Sequence, residues 1–532
     1  MGIPNGGSLG GAVPFALRSY LYAAYAQDDW KVNPRLTLTL GVRYELEKPW
    51  TERYNQLSYG FDYTSPNPVQ VPNLPLKGGL VFAGVNGVPR KQGKTDYNNF
   101  GPRFGFAYSF NDKTIVRGGY ALFYQSNLGN MDWNMRIPET FNTDLTYIGT
   151  APDGVRPNTT LMNPFPAGIP ALTGSSLGLA TRLGESIAFW APDRVLAYNQ
   201  QWSLGVQRLL PWQMKFDLSF VRMLSVKGME EFDLNEKPDK YLALGKAEND
   251  MVPNPFYGIL PPTTSHGSNK TIMQKNLWGA YPQFKSITQE GTNSQTVVYH
   301  AVQLGIDKRF SNGFQFLTNY TGSKKIENNL TSLVNVRHYR SISSGDRPHL
   351  FNFAAVYELP FGQGKSLLNG KALADKLFGG WIVSSVFGYS AGKPLSISDA
   401  NGRPIRIKDP SKSGAIANRR GDLVDAAGNI LNPYFDITAF QSLPTQYMVS
   451  AEVPYLSELR APSFRHLDMS LIKRFRIWES VMFDVRADVA NVLNTPQWGA
   501  PGTSMATKNT FGVIRDVVGG NRTIQLSFRG VF

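Results

Sequence analysis

The sequence predicts an all-β protein: an antiparallel transmembrane β-barrel of the outer-membrane type, incomplete at about 13 strands. Three observations carry this. Segments of about ten residues alternate apolar and polar side chains, the period-two signature of a strand with one greasy and one wet face. Their connections alternate in length, with tight turns at one end and long loops at the other, the arrangement of barrels that cross a membrane. The sequence also stops on an alternating strand whose last residue is Phe532.

Ser19 to Glu45 sets the pattern. Leu36, Leu38, Leu40, Val42 and Tyr44 fall on one face, and Arg35, Thr37, Thr39, Gly41 and Arg43 on the other. Asn33-Pro34 reverses the chain before them, because proline fixes φ and has no N–H to give a ladder. A long irregular stretch, about Lys48 to Pro102, leads to FGFAYSF, the turn Asn111-Asp112 and KTIVRGGYALFY. A second irregular stretch precedes AYNQQWSLGVQRL, a turn at Leu210-Pro211 and WQMKFDLSFVRM. A third precedes YHAVQLGIDKRF, Ser311-Asn312-Gly313 and FQFLTNYTGSKK; Asn-Gly between alternating runs is a strong hairpin signal. HLFNFAAVYELPF, WIVSSVFGYSAG, FRHLDMSLIKRF, a turn at Arg476-Ile477, ESVMFDVRADVANVL and NRTIQLSFRGVF complete the series. Aromatics flank the short turns (Trp30, Phe110, Trp212, Phe310, Phe361, Phe475, Trp478), as in the girdles at a membrane boundary.

Composition agrees. The 532 residues include 24 Tyr and 32 Phe, only 18% are charged, and there is no Cys, so disulfides and cysteine-based zinc or redox sites are excluded. No apolar run reaches the roughly 18 residues of a transmembrane helix, a criterion blind to alternating strands. The net charge of +14 invites a nucleic-acid reading, but Lys and Arg are scattered and the pair Arg419-Arg420 sits in a Gly- and Asp-containing loop. No nucleic-acid partner is expected.

In a barrel the polar positions face the lumen. The candidates are Arg35, Thr37, Thr39, Arg43, Gln201, Gln207 and Asp217, followed by Gln303, Asp307, Asn319, Asp484, Arg486 and Asp488. The apolar face meets outer-membrane lipid. Ile524, Leu526, Phe528 and Phe532 alternate with polar residues and resemble the C-terminal signal read by the barrel-assembly machinery. If that last strand finishes on the periplasmic side, counting back places Arg18 outside the cell, and an even-stranded barrel needs one further strand before it. With no basic, apolar leader in residues 1–17, read as an irregular segment, residues 18–532 are expected to be the C-terminal part of a longer chain.

YAAYAQDDWKVNPRLTLTLGVRYELEKP resembles the barrel of TonB-dependent receptors, specifically the Oar-like group. So do NNFGPRFGFAYSFNDKTIVRGGYALFY, YNQQWSLGVQRLLP, HLFNFAAVYELPFGQGKSL, GGWIVSSVFGYSAGKPLSI and the stretch from RHLDMSLIKRF through DVANVLNTPQWG. The resemblance implies the outer membrane of a Gram-negative-type bacterium and a barrel of about 22 strands. It further implies an N-terminal plug and energised uptake through TonB, ExbB and ExbD. On that resemblance, the plug and about nine strands are expected to lie outside this sequence. The expected function is transport of an unidentified ligand, with a structural or adhesive barrel as the alternative; no catalysis and no cofactor are expected.

Three motifs imitate enzymes. Gly388-Tyr389-Ser390-Ala391-Gly392 matches G-x-S-x-G but leads into Lys393-Pro394 rather than a helix. Gly502 to Ala506 resembles a subtilisin nucleophile segment without Asp and His partner segments. Gly364-Lys365-Ser366 lacks the earlier glycine of a phosphate loop, where Leu359 stands. The five His show no metal-binding spacing.

Overall fold

The computed structural model describes residues 6–127, 139–148, 159–163, 165, 172–362, 364–368, 376–411, 433–476 and 482–531. Its main element is one antiparallel sheet in which thirteen strands pair in chain order. They are β1 (Leu17–Asn33), β2 (Leu36–Glu52), β3 (Phe100–Asn111), β4 (Thr114–Tyr124), β5 (Tyr198–Leu210), β6 (Met214–Asp233) and β7 (Ser286–Ser311). The series continues with β8 (Phe314–Ser332), β9 (His349–Glu358), β10 (Trp381–Ser390), β11 (Phe464–Arg476), β12 (Met482–Ala490) and β13 (Thr523–Val531). The two outermost strands, β1 and β13, are not paired with each other among the described residues, so the sheet has two free edges.

The short turns are built as their residues dictate. Asn33 Oδ1 accepts the N–H groups of Arg35 and Leu36, both at 2.9 Å, closing the turn around donor-free Pro34. Asn111 does the same for Lys113 at 3.0 Å. Asn312 (φ 53°) and Gly313 (φ 76°) both take positive φ, as the two-residue turn that matches strand twist requires. The turn between β11 and β12, including Ile477 and Trp478, lies outside the described residues.

The long connections differ from expectation. Read from sequence as irregular, they instead contain a second layer of structure gathered at the opposite end of the sheet from the turns. Ser58–Pro66 pairs with Lys77–Phe82, Met251–Pro253 with Thr271–Met273, and Ser186–Trp190 runs parallel to the start of β7. Residues 1–17 are not wholly irregular either: Gly6–Ala12 forms a strand against Asn142–Ile148. Its small residues carry no alternating pattern, which is why the sequence did not disclose it.

Most of the buried apolar core lies in these connections, joined by the loop-end tips of the sheet strands such as Ile287 in β7. One cluster gathers Leu80, Phe189, Phe256, Phe284 and Ile287, with Phe61 against Tyr281, Phe284 and Phe189 at ring distances of 4.8, 6.0 and 5.9 Å. A second gathers Leu395, Phe435, Phe440, Leu456 and Phe511, with Phe435 edge-on to Phe511 at 5.2 Å. Side-chain amides satisfy backbone that no ladder reaches. Asn235 donates to the carbonyls of Tyr281 (3.1 Å) and Phe284 (2.7 Å), and Asn254 to those of His266 and Asn269, both at 2.7 Å.

His266 is buried in the first cluster, its ring stacked on Phe256 at 5.7 Å, and neither ring nitrogen has a partner among the described residues. Burial therefore holds its pKa below 6.5 and keeps the ring neutral. Below about pH 6.5 the unfolded chain takes up a proton that the folded cluster resists, so stability falls with pH through this window until the folded ring also titrates. Amide protection over 254–268, corrected for intrinsic exchange, should drop between pH 7 and pH 5, and His266→Phe should remove that dependence. Unchanged protection in the native protein would refute it.

Candidate functional site

The register sorts the sheet into two chemically distinct faces. Thr37, Ala107, Arg117, Gly205, Ser219, Gln303 and Thr321 stand opposite one another across β2 to β8. One residue over, on the reverse side, the corresponding row is Leu38, Phe106, Gly118, Leu204, Phe220, Val302 and Gly322. The apolar row is not packed against protein: Leu204 is 54% exposed, Phe220 44% and Val302 47%. In water so continuous an exposed apolar surface would drive association; against lipid it is at home.

Twelve of the thirteen polar candidates share one face. Thr37, Thr39 and Arg43 lie on it in β2; Gln201, Gln207, Asp217, Gln303, Asp307 and Asn319 follow by direct pairing or by alternation along an unbroken strand. The row Gln315, Val356, Ser384, Ser470, Asp488 carries the same face across to β12, and Asp484 and Arg486 alternate with Ala487 and Val485 there. Arg35 is the exception. It stands in the β1–β2 turn, because the ladder resumes only at Leu36 after Pro34. Ile524, Leu526 and Phe528 lie in β13 on the apolar face, all strongly exposed; Phe532 is outside the described residues.

The polar face is a web of ion pairs rather than a row of isolated charges. Asp217 accepts from Arg117 and from Gln207, each at 3.2 Å, and Lys215 stands 4.0 Å from Asp307. Arg474 holds Asp484 with two bonds (2.9 and 3.2 Å), and Arg486 pairs with Asp488 at 2.7 Å. Thr39 donates to Asp29 at 2.6 Å. Asp217, Gln303, Asp307 and Asn319 line a concavity of about 400 Å³ on this face.

A larger recess, about 610 Å³, opens at the loop end among Trp190, Met229, Glu230, Glu231, Glu290 and Gln295. Beside it, Glu47 accepts from Ser126 Oγ at 2.7 Å and from the Asn127 N–H at 3.1 Å. Arg194 lies over the Trp190 ring at 5.2 Å; burial pulls its guanidinium down to about 10, with Glu47 opposing the shift, so the group remains a cation at neutral pH. Trp190, Arg194 and Glu290 escaped sequence reasoning because they sit in or beside stretches without periodicity.

The enzyme-like motifs are placed otherwise. Ser390 ends β10, and after residues 391–393, which have no regular structure, comes the short strand Pro394–Leu395 rather than a helix. Lys365 is engaged by Glu358 at 2.8 Å. Asp28 and Asp29 stand opposite Leu40 and Thr39, on opposite faces. Among the described residues no three His, Asp or Glu are grouped to hold a metal ion.

A single antiparallel sheet, exposed and apolar on one side, ion-paired and polar on the other, with tight turns at one end and long structured loops at the other, is the wall of a membrane-spanning β-barrel. The chain belongs to the outer membrane beta barrel domain family, whose model matches residues 1–525, and it resides in the outer membrane. No curated protein matches it in sequence. Among solved structures it is similar to the outer membrane transporter YddB from Escherichia coli, at 9% identity over 97% of this chain and 54% of that one, TM-score 0.41. It is also similar to the ferripyoverdine receptor of the outer membrane of Pseudomonas aeruginosa (10%, 97% and 39%, TM-score 0.39). The FrpB iron transporter from Neisseria meningitidis gives 10%, 98% and 45%, TM-score 0.38. The chain thus spans between 39% and 54% of the length of these structures.

Proposed function

We propose that this chain is the barrel portion of a TonB-dependent outer-membrane transporter, taking up an as yet unidentified ligand through a polar lumen gated by a plug. The observation that carries the reading is the continuous ion-paired face. Thr37, Gln207, Asp217, Gln303, Asp307 and Asp488 stand on the side of the sheet away from lipid, which in a closed wall is the lumen. The long connections and their recess near Trp190 would receive the ligand outside the cell, and the tight turns would face the periplasm. Ile524, Leu526 and Phe528 in β13 would serve the barrel-assembly machinery. Membership of the barrel family and the sequence resemblance to TonB-dependent receptors support this.

The test is contact with the energy source. In the cells that make this protein, site-directed crosslinking should trap an adduct with TonB that disappears when the proton-motive force is collapsed. If no adduct forms with both proteins present in normal amounts, energised transport is wrong and the barrel is structural or adhesive.

A further inference from the structure

One row of the lipid-facing surface breaks its own rule. Phe104, Tyr120, Trp202, Arg222, His300 and Lys324 stand opposite one another on the apolar face across β3 to β8. The row begins with aromatics, Tyr120 and Trp202 being 5.3 Å apart, and passes into three consecutive basic residues. Arg222 lies over the Trp202 ring at 5.5 Å, and His300 stacks against Phe220 at 6.3 Å. Tyr and Trp on the outside of a barrel mark the water–lipid boundary. The height agrees: Lys324 is ten residues along β8 from Phe314, which at roughly 3.3 Å each and a tilt near 45° is about 23 Å above the turn. That is close to the ~25 Å of the apolar band.

These cations carry charge that no carboxylate of the described residues neutralises. On the opposite face Arg117 is taken up by Asp217 and Lys325 by Glu327, whereas Arg222, Lys324 and, further out, Arg340 have no carboxylate partner among the described residues. All three are exposed. Beside them lies a concavity of about 280 Å³ lined by Lys324, Ile326, Arg340, Arg406, Tyr455 and Ser457, in which Arg406 is already neutralised by Glu458 and Glu452. Unpaired cations at the edge of an apolar band, next to Trp and Tyr and beside a shallow recess, have the complementary charge for phosphate on a lipid headgroup.

We propose that Arg222, Lys324 and Arg340 form a docking surface for the phosphate groups of anionic lipid headgroups in the outward-facing leaflet. The aromatic pair and the apolar rows below would lie against the acyl chains of the same lipid. The surface is separate from the polar face, so its failure would leave the transport reading untouched.

The test uses the full chain extracted from outer membranes in neutral detergent, with diphosphorylated lipid A as probe and retained lipid counted by native mass spectrometry. Wild type should retain the probe in preference to phosphatidylcholine. The triple substitution Arg222→Gln, Lys324→Gln, Arg340→Gln should weaken retention about 100-fold, at about fivefold per cation removed near the surface. Lys215→Gln, on the other face, should behave as wild type. Heat-modifiable migration checks folding of the triple variant; should it not fold, Lys324→Gln alone is read for the single fivefold loss. Equal retention by the cation-depleted protein, equal retention of phosphatidylcholine, or displacement by the same concentration of inorganic phosphate would each overturn the proposal.

Discussion

Leu218→Arg is expected to abolish the heat-modifiable folded form, whereas Ser219→Arg, one residue further along the same strand, is expected to assemble normally. Leu218 is 38% exposed between Val206 and Leu304 on the apolar face, midway along β6 between its start at Met214 and the basic row at Arg222. A guanidinium there must be carried into hydrocarbon, at a cost of about 2–4 kcal/mol near the midplane. Ser219 points to the ion-paired face, beside Gln303 and Asp217, where water and carboxylates receive a cation. The readout is gel migration with and without heating, followed by unfolding in urea from lipid vesicles. If both variants fold equally well, the assignment of the two faces is wrong.

The second large effect belongs to the loop end. Phe284 is fully buried, meets Phe61 edge-on, and its carbonyl accepts from Asn235. Phe284→Ala should destabilise the first loop cluster by about 3–5 kcal/mol, through lost burial and the cavity left behind. Because the cluster is held by loop residues and only the loop-end tip of β7, and the rest of the sheet by its own ladder, the loss should be local. Hydrogen exchange should rise over 58–82 and 251–287 while the strands from Gln201 to Gly205 and from Gln303 to Asp307 stay protected. Simultaneous deprotection of sheet and loops would show that the two are one cooperative unit, against this view.

What could be read in the sequence is what lipid imposes. Where a strand crosses hydrocarbon, one face must be apolar, and the alternation in RLTLTLGVRYE or FQFLTNYTGSKK follows. Thirteen strands and their pairing order were legible for that reason. Beyond the membrane the constraint lapses. β7 begins at Ser286 in SITQEGTNSQT, whose residues alternate in nothing, and β6 runs on to Asp233 through register shifts near Gly228, with Lys227 at φ 60°. Those extensions escaped notice, as did the loop strands, whose long-range partners no local pattern announces. Twelve polar candidates share one face because the period is two; Arg35 stands apart, in the turn, because the turn takes one residue more than the alternation suggests. The recess at Trp190 draws on four distant stretches and was invisible.

The number of staves has a geometric corollary. Neighbouring strands alternate in direction, so the first and the thirteenth run the same way, both descending from the loop end to the turns. Zipped directly together they would meet as a parallel seam, with slanted bonds and slightly weaker pairing per residue. A cylinder antiparallel all the way round must therefore interpose an odd number of further ribbons between Leu17–Asn33 and Thr523–Val531, and the one docking on Leu17–Asn33 must climb.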